Sequence, residues 1–90
     1  MFQSWGAETP KTFEEAELSA MLDSLEDTER FGFIVRAKGY VPTADGTWLH
    51  FDYTPGEKEI RHGAANVTGR LCVIGAGLKE DAVKELFRLG

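Results

Sequence analysis

Two stretches of alternating apolar and polar residues, separated by an Asp-Gly turn, constrain the fold of this chain more than any other feature. The first stretch is Phe31–Val41 and the second is Thr47–Thr54. Alternation with a period of two is typical of strands that are buried on one face, and Asp45-Gly46 is a hairpin signal. The two stretches therefore predict an antiparallel hairpin with one apolar face and one polar face.

The length of the loop decides which residues pair across this hairpin. A two-residue loop would pair apolar residues of one strand with polar residues of the other. A three-residue loop ending at a left-handed Gly46 pairs Val41 with Leu49 and Gly39 with Phe51, which makes one face wholly apolar. We therefore predict the three-residue loop, Ala44-Asp45-Gly46. The apolar face of the first strand then comprises Phe33, Val35, Ala37, Gly39 and Val41.

The polar face of the hairpin carries a candidate interaction surface. Its residues are Arg36, Lys38, Tyr40, Trp48, His50 and Asp52. In the predicted register Lys38 lies opposite Asp52, and Tyr40 lies opposite His50. An exposed Trp and Tyr beside an Arg is the composition of an interface hot spot. The alternative, an ordinary solvated sheet face, stays open at this point.

The remaining segments complete an α+β fold. Thr12 and Glu15 match a capping box, which predicts a helix from Phe13 to about Glu26. The other predicted elements are a strand over residues 1–7, an edge strand over 57–62, a central strand over 70–74 that ends at Gly75-Ala76-Gly77, and a helix from Leu78 to Arg88. We expect a mainly antiparallel sheet of about five strands with two helices packed on its apolar face, forming a single domain over residues 1–90.

Charge and cysteine content exclude several classes of function. The net charge of -5 argues against nucleic acid and against an anionic membrane surface, because both attract a basic excess. No apolar run is long enough to span a membrane. Cys72 is the one cysteine, so it cannot form an internal disulfide, which suits a cytoplasmic protein. We expect Cys72 to be a small buried side chain of its strand.

Catalytic and metal-binding motifs do not stand out. The segment Gly75–Glu80 follows a strand and opens a helix, but it lacks the spacing of a phosphate-binding loop. His50 and His62 could approach each other across adjacent strands, although neither belongs to the spacing of a preformed zinc site. We assign no catalytic, cofactor-binding or metal-binding residues, and we predict that the chain alone is not an enzyme.

Several short segments form one pattern along the whole chain. They are Ser4-Trp5, residues 33–40, residues 45–52, residues 68–75, and Leu78 before a short helix that begins with acidic residues. Together they resemble the C-terminal domain of the CobW family of P-loop GTPases. The most specific part is the R-A-K-G sequence at 36–39, which precedes a D-G-x-W hairpin at 45–48.

The resemblance implies an accessory, regulatory domain of a metal-delivery GTPase. Family members carry an N-terminal domain for GTP and magnesium with a metal motif for zinc or cobalt, and they are linked to cobalamin biosynthesis and metal homeostasis. The implied partners are that GTPase domain in the same chain and a client metalloprotein, and no cofactor is expected in this domain. The alternative function is direct binding of zinc or cobalt by His50, His62 and nearby carboxylates. The strongly acidic first helix is a second candidate docking surface.

Overall fold

The computed structural model describes residues 1–89, which form one antiparallel sheet and three helices. The strands are β1 (Phe2–Thr9), β2 (Phe33–Pro42), β3 (Trp48–Thr54), β4 (Glu57–His62) and β5 (Gly69–Ala76). The helices are α1 (Glu15–Ser24), α2 (Thr28–Phe31) and α3 (Glu80–Leu86). The strand order is β1-β5-β2-β3-β4, so the last strand lies between the first and the second. The α+β class is confirmed, and α2 is an addition that the sequence did not indicate.

The β2–β3 hairpin has the predicted register. Val41 pairs with Leu49, and Gly39 pairs with Phe51. The amide of Thr43 donates to the carbonyl of Thr47 at 2.9 Å, which encloses a three-residue loop. The last loop residue, a glycine, has a φ of 90° and is left-handed as expected. Alternation and turn residues were enough to place these two strands.

The predicted alternation of β2 is wrong at the start of the strand. The pairing of β2 with β5 shifts between Ile34 and Arg36, which is a β-bulge. As a result Ile34 enters the core, where it is 2% exposed, whereas Phe33 is 51% exposed on the opposite face. Val35, also expected on the apolar face, is only half-buried at the bulge.

The first helix begins later than predicted. α1 starts at Glu15, and its capping box is formed by Glu14 and Glu17 instead of the predicted pair of Thr12 and Glu15. The amide of Phe13 donates at 2.9 Å to the backbone carbonyl of the last residue of β2. This bond holds the residues before the helix against the sheet.

One hydrophobic core lies between the helices and one face of the sheet. From the helical side it receives Phe13, Leu18, Leu22, Leu25, Phe31, Leu78, Val83 and Phe87. From the strands it receives Ile34, Ala37, Val41, Leu49, Phe51, Tyr53, Leu71 and Val73. Both long helices therefore pack on the same side of the sheet, as expected. Within residues 1–89 no helix has the length and apolar character needed to cross a membrane.

β5 is the interior strand that its β-branched run predicted, but it is longer than expected. It continues through Gly75 and Ala76, and the break falls at Gly77, where φ is 61°. A Cβ at Gly75 would lie 2.5 Å from the carbonyl oxygen of Phe33. The glycine therefore serves the close approach of β5 to β2 inside the sheet.

Candidate interaction surface on the open sheet face

The open face is the sheet surface opposite the helices, and it brings together all six residues predicted as an interaction surface. They are Arg36, Lys38, Tyr40, Trp48, His50 and Asp52. Lys38 lies opposite Asp52, and Tyr40 lies opposite His50, as the register predicted. Their placement on one face is confirmed, while their role in binding stays a prediction.

Asp52 is the centre of an ion-pair network on the open face. Its carboxylate accepts from Nη2 of Arg36 at 3.0 Å and from Nη1 of Arg61 at 3.4 Å. Arg61 also pairs with Glu59 at 2.7 Å. The hydrogen bond from Arg36, followed by the one from Arg61, lowers the pKa of Asp52 despite some burial of the carboxyl. The negative charge of Asp52 is thus balanced by two Arg side chains. Lys38, in contrast, takes part in no ion pair among residues 1–89.

Three rings form an aromatic cluster at the hairpin end of the open face. The ring centroids of Tyr40 and Trp48 are 6.3 Å apart, and those of Tyr40 and His50 are 5.6 Å apart. Nε2 of His50 lies 2.9 Å from the carbonyl oxygen of Ala64 and donates to it, so the loop after β4 fixes this ring. All three rings are half-buried. These contacts fix the orientation of the three rings, which together form a partly solvent-exposed aromatic surface.

Two further cations of the open face were not predicted. Arg61 lies opposite His50, and Arg70 lies opposite Tyr40. The turn at Pro55-Gly56 could have placed Arg61, because a two-residue turn sets the register of β3 and β4. Arg70 reaches this surface because β5 lies beside β2. No local sequence pattern predicts that these two strands are neighbours.

The expectation of a buried Cys72 is wrong. Cys72 pairs with Lys38 and is half-buried on the open face, because the core side of β5 is taken by Leu71 and Val73. The thiol lies in a shallow depression of about 470 Å³ in the open face. The cations that line this depression are Arg36, Lys38, Arg61 and Arg70. The depression is therefore basic, although the whole chain carries a net charge of -5.

The open face also has an apolar end. Phe2, Ala76 and Phe33 form one row across β1, β5 and β2. Phe2 is 63% exposed and Phe33 is 51% exposed. In the next row the half-buried Ile74 lies beside Arg36. The sequence analysis missed this apolar end because it assigned Phe33 to the core face.

The two histidines do not approach each other. His50 pairs with Arg61, and His62 pairs with Leu49. Because Leu49 is buried under the helices, His62 projects to the helix side and His50 to the open face. The expectation that they could meet across adjacent strands is therefore wrong. In the part of the chain that the structure describes, no group of three or more His, Cys, Asp and Glu side chains is placed to hold a metal ion.

Much of the acidic charge around the first helix is engaged within the chain. Asp23 pairs with Nζ of Lys58 at 2.5 Å, and Glu17 pairs with Nη2 of Arg88 at 3.2 Å. Oε2 of Glu26 accepts from the hydroxyl of Tyr53 at 2.9 Å and from a turn amide at 2.8 Å. These carboxylates attach α1 and the residues after it to the sheet. Part of the charge of this region therefore serves tertiary structure, and its role as a docking surface stays a prediction.

The sequence of the chain matches the model of a known family. The family model described as cobalamin synthesis protein cobW C-terminal domain matches residues 2–89. The chain belongs to this family. A search of curated proteins found no match.

Two solved structures contain the same fold as this CobW C-terminal domain. The Zn(II)-bound YjiA GTPase from E. coli aligns with a TM-score of 0.73 and 21% sequence identity. A Zn(II)-bound triple mutant of the YjiA GTPase aligns with a TM-score of 0.78 and 18% identity. Each match covers 96% of this chain and 28% of the YjiA chain. The CobW C-terminal domain thus spans little more than a quarter of these GTPases, and at this identity the likeness concerns the fold alone.

Proposed function

We propose that this CobW C-terminal domain is the accessory domain of a cytoplasmic metal-delivery GTPase and has no catalysis of its own. In this proposal the open face docks the GTPase domain of the same chain or a client metalloprotein. GTP, magnesium and the zinc or cobalt that is delivered belong to the GTPase domain. The accessory domain contributes recognition, and thereby regulates which partner the GTPase engages.

The composition of the open face is the observation that carries this proposal. An antiparallel sheet face that only meets water is normally polar. Here it carries a half-buried cluster of Tyr40 and Trp48, and an apolar end with Phe2 and Phe33 more than half exposed. Aromatic and Arg side chains are the groups enriched at the centres of protein interfaces.

The charges of the open face favour an acidic partner surface. The depression is lined by four cations and by Asp52, which already has two Arg partners. A carboxylate of a docking protein would therefore meet Lys38, which has no ion pair among residues 1–89, or Arg70, whose ion pair with Glu8 is long at 3.6 Å. Electrostatic complementarity of this kind contributes mainly to orientation and to the rate of association.

Direct metal binding is not retained as a second candidate. That hypothesis required His50 and His62 to converge with carboxylates, but the register of β3 and β4 sends them to opposite faces. A ligand set of three or four groups is the normal requirement of a zinc site.

The experiment uses a double variant, Arg36→Ala with Trp48→Ala. We expect it to stay folded, since both side chains lie outside the core, and to bind the GTPase domain or client at least about tenfold more weakly, as expected for interface hot spots. Association is measured by calorimetry and folding by circular dichroism. Arg30→Ala, which removes an exposed cation on the helix side, is the matched control and should bind normally.

Two results would contradict the open face as the docking site. One is normal binding by a folded double variant, and the other is an equal loss of binding in Arg30→Ala. If the double variant unfolds, Lys38→Glu tests the same surface, because Lys38 is exposed and has no ion pair among residues 1–89.

A further inference from the structure

The two edge strands of the sheet differ in how they are protected against pairing with another chain. β4 consists of Glu57, Lys58, Glu59, Ile60, Arg61 and His62. Charged side chains of this kind, especially Lys, discourage the addition of a further strand. β1 is eight residues long, contains no Pro and carries one charged side chain, that of Glu8. It therefore lacks the usual protection of an exposed edge.

The outer backbone of β1 is available for hydrogen bonding. β1 pairs with β5 on one side only. In an antiparallel pair, alternate residues direct their backbone groups toward the partner strand and the others direct them away. Within residues 1–89 no loop, turn or helix end makes a backbone hydrogen bond with residues 2–8. About half of the backbone groups of β1 thus face solvent.

A groove of about 440 Å³ runs beside this free edge. It is lined by residues 5–11 of β1 and the following turn, and by Lys84 and Leu89 at the end of the helical layer. Trp5 and Ala7 project toward the helices, because they pair with the buried residues of β5. A strand added next to β1 would place alternate side chains in this groove, since its residues would follow the same pleat.

The groove combines an apolar wall with a rim of two cations, Lys11 and Lys84, and one acid, Glu8, which is already in an ion pair. Trp5 and Leu89 pack against the core and are half-buried, and the small Ala7 leaves room for a larger apolar side chain beside it. Lys84 is exposed and has no ion pair among residues 1–89. Nζ of Lys11, at the other end of the groove, donates to a backbone carbonyl. An apolar side chain and a carboxylate on alternate positions would complement these groups.

We propose that the β1 edge is a second docking site, which binds an extended acidic segment of a partner protein by strand addition. Backbone hydrogen bonds to β1 supply the affinity, and the groove selects the side chains at every second position. This site is separate from the open face and does not depend on the function proposed for that face.

The probe is a synthetic eight-residue peptide, acetylated and amidated, with the sequence Val-Thr-Glu-Thr-Val-Thr-Glu-Thr. In an added strand its Val and Glu side chains share one face, and Thr occupies the other. The peptide is titrated into the isotope-labelled chain and followed by NMR. We expect amide shifts to concentrate in residues 2–9 and 84–89. A peptide with Lys in place of Glu should bind at least about fivefold more weakly. One with Pro at both central positions should not bind, because one of the two lacks an amide that would face β1.

The matched variants are Lys84→Glu and Lys38→Glu, which make the same charge change at the groove and on the open face. Lys84→Glu should weaken binding of the acidic peptide at least about fivefold and favour the Lys peptide. Lys38→Glu should change either affinity less than about twofold. Circular dichroism checks that both variants fold.

Three results would overturn the proposal. The first is a shift pattern centred on the open face, with Lys38→Glu as the sensitive variant. The second is unchanged binding of the Pro peptide, which would show that no ladder forms. The third is a homodimer in sedimentation whose β1 amides are protected and not displaced by peptide, which would assign the edge to a second copy of this chain.

Discussion

The two faces of the sheet are built from the same strands, yet their side chains are held in different ways. Phe51 and Phe33 show the contrast, since the first is 2% exposed under the helices and the second is 51% exposed on the open face. Side chains on the core face are enclosed by the helices, whereas those on the open face are held by ion pairs and ring contacts at the edge of solvent. Stability and recognition should therefore be separable by choosing the face that a substitution alters.

The largest expected effect comes from truncating a ring on each face. Phe51→Ala should lower the free energy of unfolding by about 3–5 kcal/mol, because it leaves a cavity in the core. Phe33→Ala should change it by no more than about 0.5 kcal/mol, as for most exposed positions. Urea unfolding measures both. Similar losses for the two variants would contradict the division between the faces.

Gly39 tests how closely the strands approach within the core face. A Cβ at this position would overlap the carbonyl oxygen of Arg70 and lie 3.0 Å from Cζ of Phe51. Gly39→Val should therefore lower the free energy of unfolding by about 1–3 kcal/mol through overpacking. Gly6→Val is the control, because a Cβ at Gly6 meets its nearest neighbour at an ordinary 3.5 Å. Equal melting temperatures for the two variants would show that the backbone near Gly39 can move to accept a side chain without loss of stability.

The hydroxyl of Tyr53 shows that the core face is stabilised by a hydrogen bond as well as by apolar contacts. The hydroxyl of Tyr53 donates to Glu26 at 2.9 Å, and burial together with this carboxylate raises the pKa of Tyr53. Tyr53→Phe should lower the free energy of unfolding by about 1.5 kcal/mol, as for a hydrogen bond to a charged group. Tyr40→Phe on the open face is the control, with a change within about 0.5 kcal/mol. A smaller loss for Tyr53→Phe than for the control would refute the role of this bond.

The smallest effect concerns the hairpin loop, which sets the register of both faces. Asp45 accepts from the hydroxyl of Thr43 and from the hydroxyl and amide of Thr47, and these bonds lower its pKa from 3.8 to about 2. A lowered pKa means that the carboxylate stabilises the fold fully above pH 3.8 and loses this effect as the pH falls through about 2.

The loop prediction is measured with Asp45→Asn. The melting temperature of the variant should lie slightly below that of the parent chain near neutral pH. The gap should narrow on acidification towards about pH 2, where about half of the parent carboxyls are protonated, and close below it. A gap that is independent of pH would mean that the charge of Asp45 contributes nothing to the loop.

Local signals predicted the hairpin and most of the candidate surface. The alternation in β2 and β3, together with a loop that needs a left-handed Gly46, left one register with a continuous apolar face, and that register is observed. The six candidate residues followed from it. The other positions depend on information that is not local. Arg70 and Cys72 belong to the open face only because β5 lies next to β2.

The errors of the sequence analysis have physical causes. Phe33, Ile34 and Val35 are three consecutive apolar residues, so alternation cannot tell which of them faces the core, and the bulge decides it. The Thr12 capping box does not form, because the helix is capped at Glu14 and Phe13 is bonded to the end of β2. In both places the sheet changed a conformation that the local sequence favoured.

The position of β5 between β1 and β2 sets the order in which the chain can fold during synthesis. β2, β3 and β4 follow one another between residues 33 and 62, so they can pair as soon as they leave the ribosome. β1 is made before these strands, but its partner comes from residues 69–76, and closing so long a loop is entropically costly and slow. β1 therefore stays without its partner strand until β5 has been synthesised, and in that interval a chaperone has the most to protect.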